Sequence, residues 1–402
     1  MICFLFPGQG SQKPQMGQSW TEHPSWELVT EASNASGRDI EHLLLNASAD
    51  DLSVTRNTQL ATYVMSMIAL DAVERLGIVP QLVAGHSLGE YSALVAAGAL
   101  AFDSGAKLVA ERSEAMAIAA EESPGAMAAL LGIDDEVAER ACDMVEGVWV
   151  ANYNSGGQVV IAGTKEGVAR ACEVAKEMGA KRAMIIPVGG GFHTPLMDTA
   201  KARLKKALIS TRFYDAEVPV VANVDATEHN LASDWPRLLL EQLTSPVKWS
   251  QTLRLIHGYH PHLLIEMGPG AVLAGLVRRA MPEAKVLSVS NPDNLDDLVE
   301  AISEAGPLHE FAKAHHGEHL FMQERIVVSP IAGIFVPTVE TVSGEPLKEG
   351  ATITVGEILG RVNDAEIRSP FEGTLMGLIA LDGERVTPSQ PLAWLKIEGA
   401  SR

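Results

Sequence analysis

The chain has no uninterrupted apolar run of the ~18 residues that a membrane-spanning helix needs. It is therefore read as a protein that works away from the bilayer. Cysteine is scarce: Cys3, Cys142 and Cys172 are the only three. Their odd number and their apolar or helical surroundings exclude a disulfide framework. They read as reduced packing residues of a cytoplasmic protein. The N-terminus "MICFLFPGQGSQ" lacks a basic start and a small-residue cleavage site. It is read as a strand entering a glycine turn, not as a leader peptide. Basic residues are outnumbered, 31 against 51 acidic, for a formal net charge of −20. That balance excludes general nucleic-acid binding, which needs a basic surface. The local clusters Lys201, Arg203, Lys205 and Lys206, Lys248 with Arg254, and Arg278 with Arg279 read as solvated helix faces.

What is present is ordinary globular material, 402 residues that are 47% hydrophobic, enough for two or three domains. Residues 2–6 form a short apolar strand. Leu60, Val64, Ile68 and Val73 recur at helical spacing. "VPQLVAG" is a buried strand of the parallel type, and "LGEYSALVAAGAL" a helix starting near Leu88. Residues 125–188 alternate in the order strand, helix, strand, strand, helix, strand, the ferredoxin-like order. Residues 196–300 return to alternating helices and strands. A stretch with His309, His315, His316 and His319 follows. No Cys or Asp completes a ligand set there, so it reads as a polar linker, and no metal is expected. The tail from about 325 is rich in Val, Ile, Gly and Pro and resembles itself: "VVSPIAGIFVP" against "EIRSPFEGTLM". Two such halves, interlocked, would make a small flattened barrel.

Ser87 stands in Gly85-His86-Ser87-Leu88-Gly89, between the buried strand and the helix. A serine hydroxyl attacks an acyl carbon only with a base in reach and donors aimed at the oxyanion. G-x-S-x-G on a strand-to-helix turn projects Oγ and turns the next N–H toward that oxyanion. The helix adds its positive end. His193, behind the three glycines of "VGGGFHTPLM", is the candidate base, 106 residues away in the chain.

These pieces belong to a longer ordered set. "FPGQGSQ", "GHSLGE", "ERSEAM", "GFHTPLM", "NVD", "QLTSPVKW" and "EMGPG" follow one another over residues 1–300. In order and spacing the chain resembles the malonyl-CoA:acyl-carrier-protein transacylases of fatty-acid and polyketide synthesis. The resemblance implies an α/β-hydrolase-like core (1–120 and 194–305) with an inserted ferredoxin-like subdomain (121–193). It implies Ser87 as acyl carrier and His193 as base and then acid. Gln9 and Leu88 would donate backbone N–H groups to the oxyanion. A backbone carbonyl near Gln242 would orient the histidine. Arg112 would grip the free carboxylate of the malonyl group. Leaving that fork unpaired would cost ~2–5 kcal/mol, about 30- to several-thousand-fold in selectivity. Phe192 would crowd an α-methyl group and favour malonyl. Ser113, Gly157 and the extra glycines before Phe192 depart from the usual pattern without removing a catalytic group. The expected partners are a CoA thioester, malonyl-CoA, and an acyl carrier protein, with no bound cofactor. The readings kept beside this one are a transferase for another extender unit or pathway, an acyl-thioester hydrolase, and an assembly role. The tail (325–402, after a linker at 306–324) resembles a biotinyl/lipoyl-carrier domain. Where carriers show a modified lysine it reads "GRVNDAEIRSP", so no biotin or lipoate attachment is expected, and the domain is read as one that docks a partner or packs on the transferase.

Overall fold

The computed structural model describes residues 1–304 and, beyond them, 324–329, 332–338, 347–348, 350–354, 356–363, 365–369, 373–386 and 390–396. Two compact units, Met1–His315 and His316–Arg402, divide the chain. The four linker histidines and most of the 306–324 linker lie outside the described residues.

The first unit is built on a six-stranded sheet. Its spatial order is Val286–Val289, Leu263–Met267, Ile2–Phe6, Leu82–Gly85, Val220–Val221, Glu228–His229. All neighbours are parallel except the last pair. Such strands are covered on both faces, which is why they read as apolar runs without alternation. The pleat still sorts the side chains. Phe4 and Phe6 enter one core together with Tyr63, Val64 and Met116 of the helices Thr55–Arg75 and Phe102–Glu122. Cys3 and Leu5 enter the opposite core with Trp249, Leu253 and Leu276. Cys3, Cys142 and Cys172 are all buried and unpaired, and burial pushes the Cys3 thiol up to about 12.

A four-stranded antiparallel sheet lies in the same unit, in the spatial order Val148–Ser155, Gln158–Gly163, Ala126–Leu131, Arg182–Ile186. Helices Asp135–Asp143 and Lys165–Glu177 close one face around Leu130, Ile161 and Val168. The second helix is amphipathic, burying Val168, Ala171, Cys172 and Ala175. Thr164 caps it by accepting from the Gly167 N–H at 3.0 Å. Backbone bonds between Val247 and both Ala151 and Tyr153 tie this sheet to the loop before the helix Trp249–Gly258.

The second unit is all β among its described residues. One sheet runs Glu324–Val328, Pro391–Lys396, Gly373–Leu378, Thr352–Ile353. The other runs Ala365–Arg368, Ile358–Val362, Gly333–Pro337, Arg385–Val386. Each sheet therefore draws strands from both halves of the internal repeat. The first strand opens at Glu324, one residue before the expected start at 325. Val327, Phe335, Leu359, Leu375 and Leu395 fill the core between them. In the hairpin joining the halves, Asn363 takes φ 54°, and its backbone N–H donates to Ile334 O at 3.0 Å. Asp364 of the expected tight turn lies outside the described residues. Among the described residues, no helix is long and apolar enough to cross a membrane.

Candidate active site

The strand Leu82–Gly85 ends in a turn so tight that Ser87 takes φ 52°. A non-glycine residue in this left-handed region costs on the order of 1–3 kcal/mol, which the surroundings must hold in place. The flanking glycines are the reason the turn closes. A Cβ on Gly85 would sit 1.9 Å from the Gly89 backbone, and one on Gly89 would sit 2.0 Å from Phe6 O. Asn223, just past the strand Val220–Val221, clips the turn from both sides. Its Oδ1 accepts from Ser87 N at 2.7 Å, and its Nδ2 donates to Gly85 O at 2.6 Å. The helix Gly89–Ala96 starts one residue after the expected Leu88, which caps it.

His193 also has a positive φ, 61°, and it is buried. The fold closes the 106-residue gap: its Nε2 lies 2.8 Å from Ser87 Oγ. Its Nδ1 lies 2.8 Å from the Gln242 carbonyl oxygen. A carbonyl only accepts, so Nδ1 carries the proton and Nε2 presents its lone pair to the serine hydroxyl. Burial, and then the nearby Arg112 charge, push the imidazole down to about 3. At neutral pH it is an unprotonated base.

Arg112 is not a surface arginine of its helix. It is 1% exposed, and its neighbours Glu111 and Glu114 pair elsewhere, with Arg203 and Arg56. Among the described residues its guanidinium reaches only neutral acceptors: Gln59 Oε1 at 2.6 Å, Gln242 Oε1 at 2.8 Å and Ser87 Oγ at 3.1 Å. The Tyr91 ring lies beneath it, 5.5 Å from Cζ, and its buried Nε has no protein partner among the described residues. Desolvation lowers its pKa, yet a guanidinium stays charged. A planar cation with no carboxylate in direct contact, aimed at a nucleophile, fits an incoming carboxylate.

Gln9 sits where the first strand's loop meets the serine turn. A Cβ on Gly8 would lie 2.6 Å from His86 O, so the two loops are packed backbone to backbone. Among the described residues, the backbone N–H groups of Gln9 and Leu88 have no protein acceptor. Gln9, Ser87, Leu88, Arg112, Phe192 and His193 line one cavity of about 190 Å³. Phe192 is buried in its apolar wall with Met116 and Met127. His86 is held there by Asn154, its Nε2 2.9 Å from Oδ1.

All seven residues singled out in the sequence thus fall in or against one place. The side chain of Gln242, as distinct from its carbonyl, was not anticipated. Its Nε2 donates to Ser87 O at 2.9 Å and to Glu90, while its Oε1 receives Arg112. Gln59, Glu90 and Asn223 were also missed as functional groups. For Glu90 and Asn223 the signal was present, since each is a polar residue in a mainly apolar, buried stretch and such groups need partners; Gln59 directly follows the polar run Thr55-Arg56-Asn57-Thr58 and carried no such signal. Among the described residues, no group of three or more His, Cys, Asp or Glu is placed to hold a metal ion.

Comparison with known proteins matches residues 3–309 to the acyl transferase domain. The malonyl CoA-acyl carrier protein transacylase of Bacillus subtilis is 41% identical over 309 residues, covering 75% of this chain and 98% of that protein. The protein of the same name from Salmonella typhimurium is 40% identical over 298 residues, 72% of this chain and 96% of its own. Among solved structures, an acyl carrier protein S-malonyltransferase from Vibrio cholerae superposes with a TM-score of 0.71 at 38% identity, covering 74% of this chain and 99% of that one. A malonyl-transacylase in complex with its type II PKS acyl-carrier protein gives 0.72 at 37% identity, with coverage of 74% and 99%.

Proposed function

The chain belongs to the acyl transferase domain family, and from that membership we propose how its residues share the work of malonyl transfer. The protein moves a malonyl group from malonyl-CoA to an acyl carrier protein. Ser87 Oγ attacks the thioester carbon as His193 Nε2 takes its proton. The tetrahedral oxyanion is met by the N–H groups of Gln9 and Leu88. Collapse expels the CoA thiolate, which takes the proton back from His193 and leaves malonyl as an ester on Ser87. The phosphopantetheine thiol of the carrier then repeats the steps in reverse. Throughout, Nδ1 of His193 stays anchored on the Gln242 carbonyl, so no carboxylate is needed behind the imidazole. Phe192 narrows the acyl cavity and favours malonyl over branched groups.

One observation carries the choice of acyl group: Arg112, buried, held by neutral acceptors and 3.1 Å from the nucleophile. A hydrolase of simple acyl thioesters gains nothing from that cation. Incubation with labelled malonyl-CoA is expected to place one label on Ser87, and added carrier protein is expected to remove it. Label that is released as free malonate faster than it reaches the carrier would count against transfer.

Finer features of the fold go with this reading. The parallel sheet with its serine turn is consistent with an α/β-hydrolase-like core, and the antiparallel sheet with a ferredoxin-like subdomain. Three buried, unpaired thiols suit a cytoplasmic enzyme. The strand exchange between halves supports a biotinyl/lipoyl-like tail. Its joining hairpin, "GRVNDAEIRSP", carries no lysine, so the tail is read as an unmodified domain that docks a partner or packs on the transferase. An intact mass equal to that of the bare chain is the expected result; added biotin or lipoate would refute it.

A further inference from the structure

Glu90 is the carboxylate this mechanism leaves idle. It sits in the first turn of the helix Gly89–Ala96, fully buried. One oxygen accepts from Asn223 N at 2.7 Å, and the other accepts from Gln242 Nε2. Through that amide it stands one residue from the Arg112 fork, because Gln242 Oε1 receives Arg112 Nη2 at 2.8 Å. A carboxylate can only accept, so it fixes which end of the amide faces it and turns the carbonyl toward the guanidinium. The charged and titratable groups around Glu90 are few. Arg112, on the neighbouring helix Phe102–Glu122, favours the ionised form. Asp225, in the loop after Val220–Val221, opposes it, and the Tyr91 phenol follows in sequence.

Resting on the reading of Arg112 as the malonyl clamp, we propose that Glu90 is a positioning residue and the exchangeable counter-charge of that arginine. While the clamp is empty, Glu90 is the buried anion that balances it. When a dicarboxylic acyl group arrives, its free carboxylate takes over that balance, and Glu90 takes one proton from solvent. Nothing else changes in the proton count: the serine proton still leaves on the CoA thiol. Arg112 at the same moment lets go of Gln242 Oε1, while the backbone carbonyl of Gln242 stays on His193. The amide then turns to accept the new Glu90 O–H. Burial already lifts this carboxyl to about 7, and neutralising Arg112 moves it further up. The window of proton uptake thus opens just above neutrality. Well below pH 7 Glu90 is protonated in both states, and uptake vanishes.

The test uses the full chain at substrate level in weakly buffered solution with an indicator dye. Near pH 8, loading with malonyl-CoA is expected to take up as much as one proton per site more than loading with acetyl-CoA. Near pH 5.5 the two are expected to match. The malonyl-to-acetyl loading ratio is expected to fall above pH 7 by at most about tenfold per pH unit. In Glu90→Gln, a neutral stand-in for the protonated form, both the extra uptake and the slope are expected to disappear while malonyl still loads. Equal proton counts for the two thioesters in the unaltered protein overturn the proposal without any variant. A slope that survives in Glu90→Gln overturns it as well. Failure of malonyl-CoA to acylate Ser87 at all would remove the clamp reading too, whereas acylation without uptake removes only this inference.

Discussion

Replacing His193 by alanine is expected to slow acylation of Ser87 by about 10²- to 10⁴-fold, the usual reach of a positioned general base. The measurement is a single-turnover acylation rate with malonyl-CoA. Binding should change far less, because the imidazole contacts the nucleophile rather than the acyl carboxylate. The pH profile gives a second readout. Burial and the Arg112 charge hold the imidazole at about 3, against an ordinary 6.5. A base with that value is already unprotonated through the whole neutral range. The acylation rate should therefore show no acid limb near pH 6 that can be assigned to His193. An ordinary limb at 6.5 would mean that the imidazole is solvated in the working enzyme. The same shift has a consequence for stability. The unfolded chain binds this proton at a higher pH than the folded one, so stability falls as pH drops below about 6.5 and continues to fall toward 3. In His193→Ala that contribution is absent. Substrate also retunes the base. A malonyl carboxylate on Arg112 offsets one cause of the depression, the Arg112 charge, which makes the protonated imidazole easier to form when the thiolate must leave.

Much of this arrangement is legible in the sequence. The G-x-S-x-G turn announces itself because only glycine tolerates backbone 1.9–2.0 Å from where its Cβ would be. The buried strands around it are apolar on both faces for the same packing reason. Gln9 is named by the family resemblance of its "PGQG" turn, and the parallel pairing of Ile2–Phe6 with Leu82–Gly85 is what brings that turn beside Ser87. What the sequence could not show is polar connectivity inside the core. Gln59 lies on a helix whose spacing points inward, and nothing in that spacing says that it meets Arg112, 53 residues away. Gln242 was expected to serve through its carbonyl, and its side chain turns out to touch Ser87, Glu90 and Arg112. Arg112 itself looks like a surface residue between two glutamates until Arg56 and Arg203 are seen to occupy both of them. Helical periodicity reports which face is buried, whereas hydrogen-bond partners are set by elements far apart in the chain. The tail shows the same limit. Its internal repeat was readable, but the exchange of strands between the two sheets is a matter of topology.

Removing the guanidinium is the sharper test of substrate choice. Arg112→Ala is expected to lower malonyl transfer by about 30- to several-thousand-fold, the worth of ~2–5 kcal/mol for a buried, directly bonded ion pair. Acetyl transfer, which never had that contact, should fall far less, so the ratio of the two rates collapses. The comparison must be a ratio because the truncation also strands two acceptors, Gln59 Oε1 and Gln242 Oε1, in the core. Their loss of partners costs stability and loosens the Ser87 turn for every substrate alike. Arg112→Lys separates charge from geometry. A lysine keeps a cation but offers a compact point charge in place of two parallel, planar donors. Its malonyl rate should lie between those of the unaltered enzyme and the alanine variant, with most of the discrimination against acetyl gone. If both variants transfer malonyl and acetyl in the original ratio, the acyl carboxylate is bound elsewhere. The buried fork would then serve only to hold Gln242 and the serine turn in place.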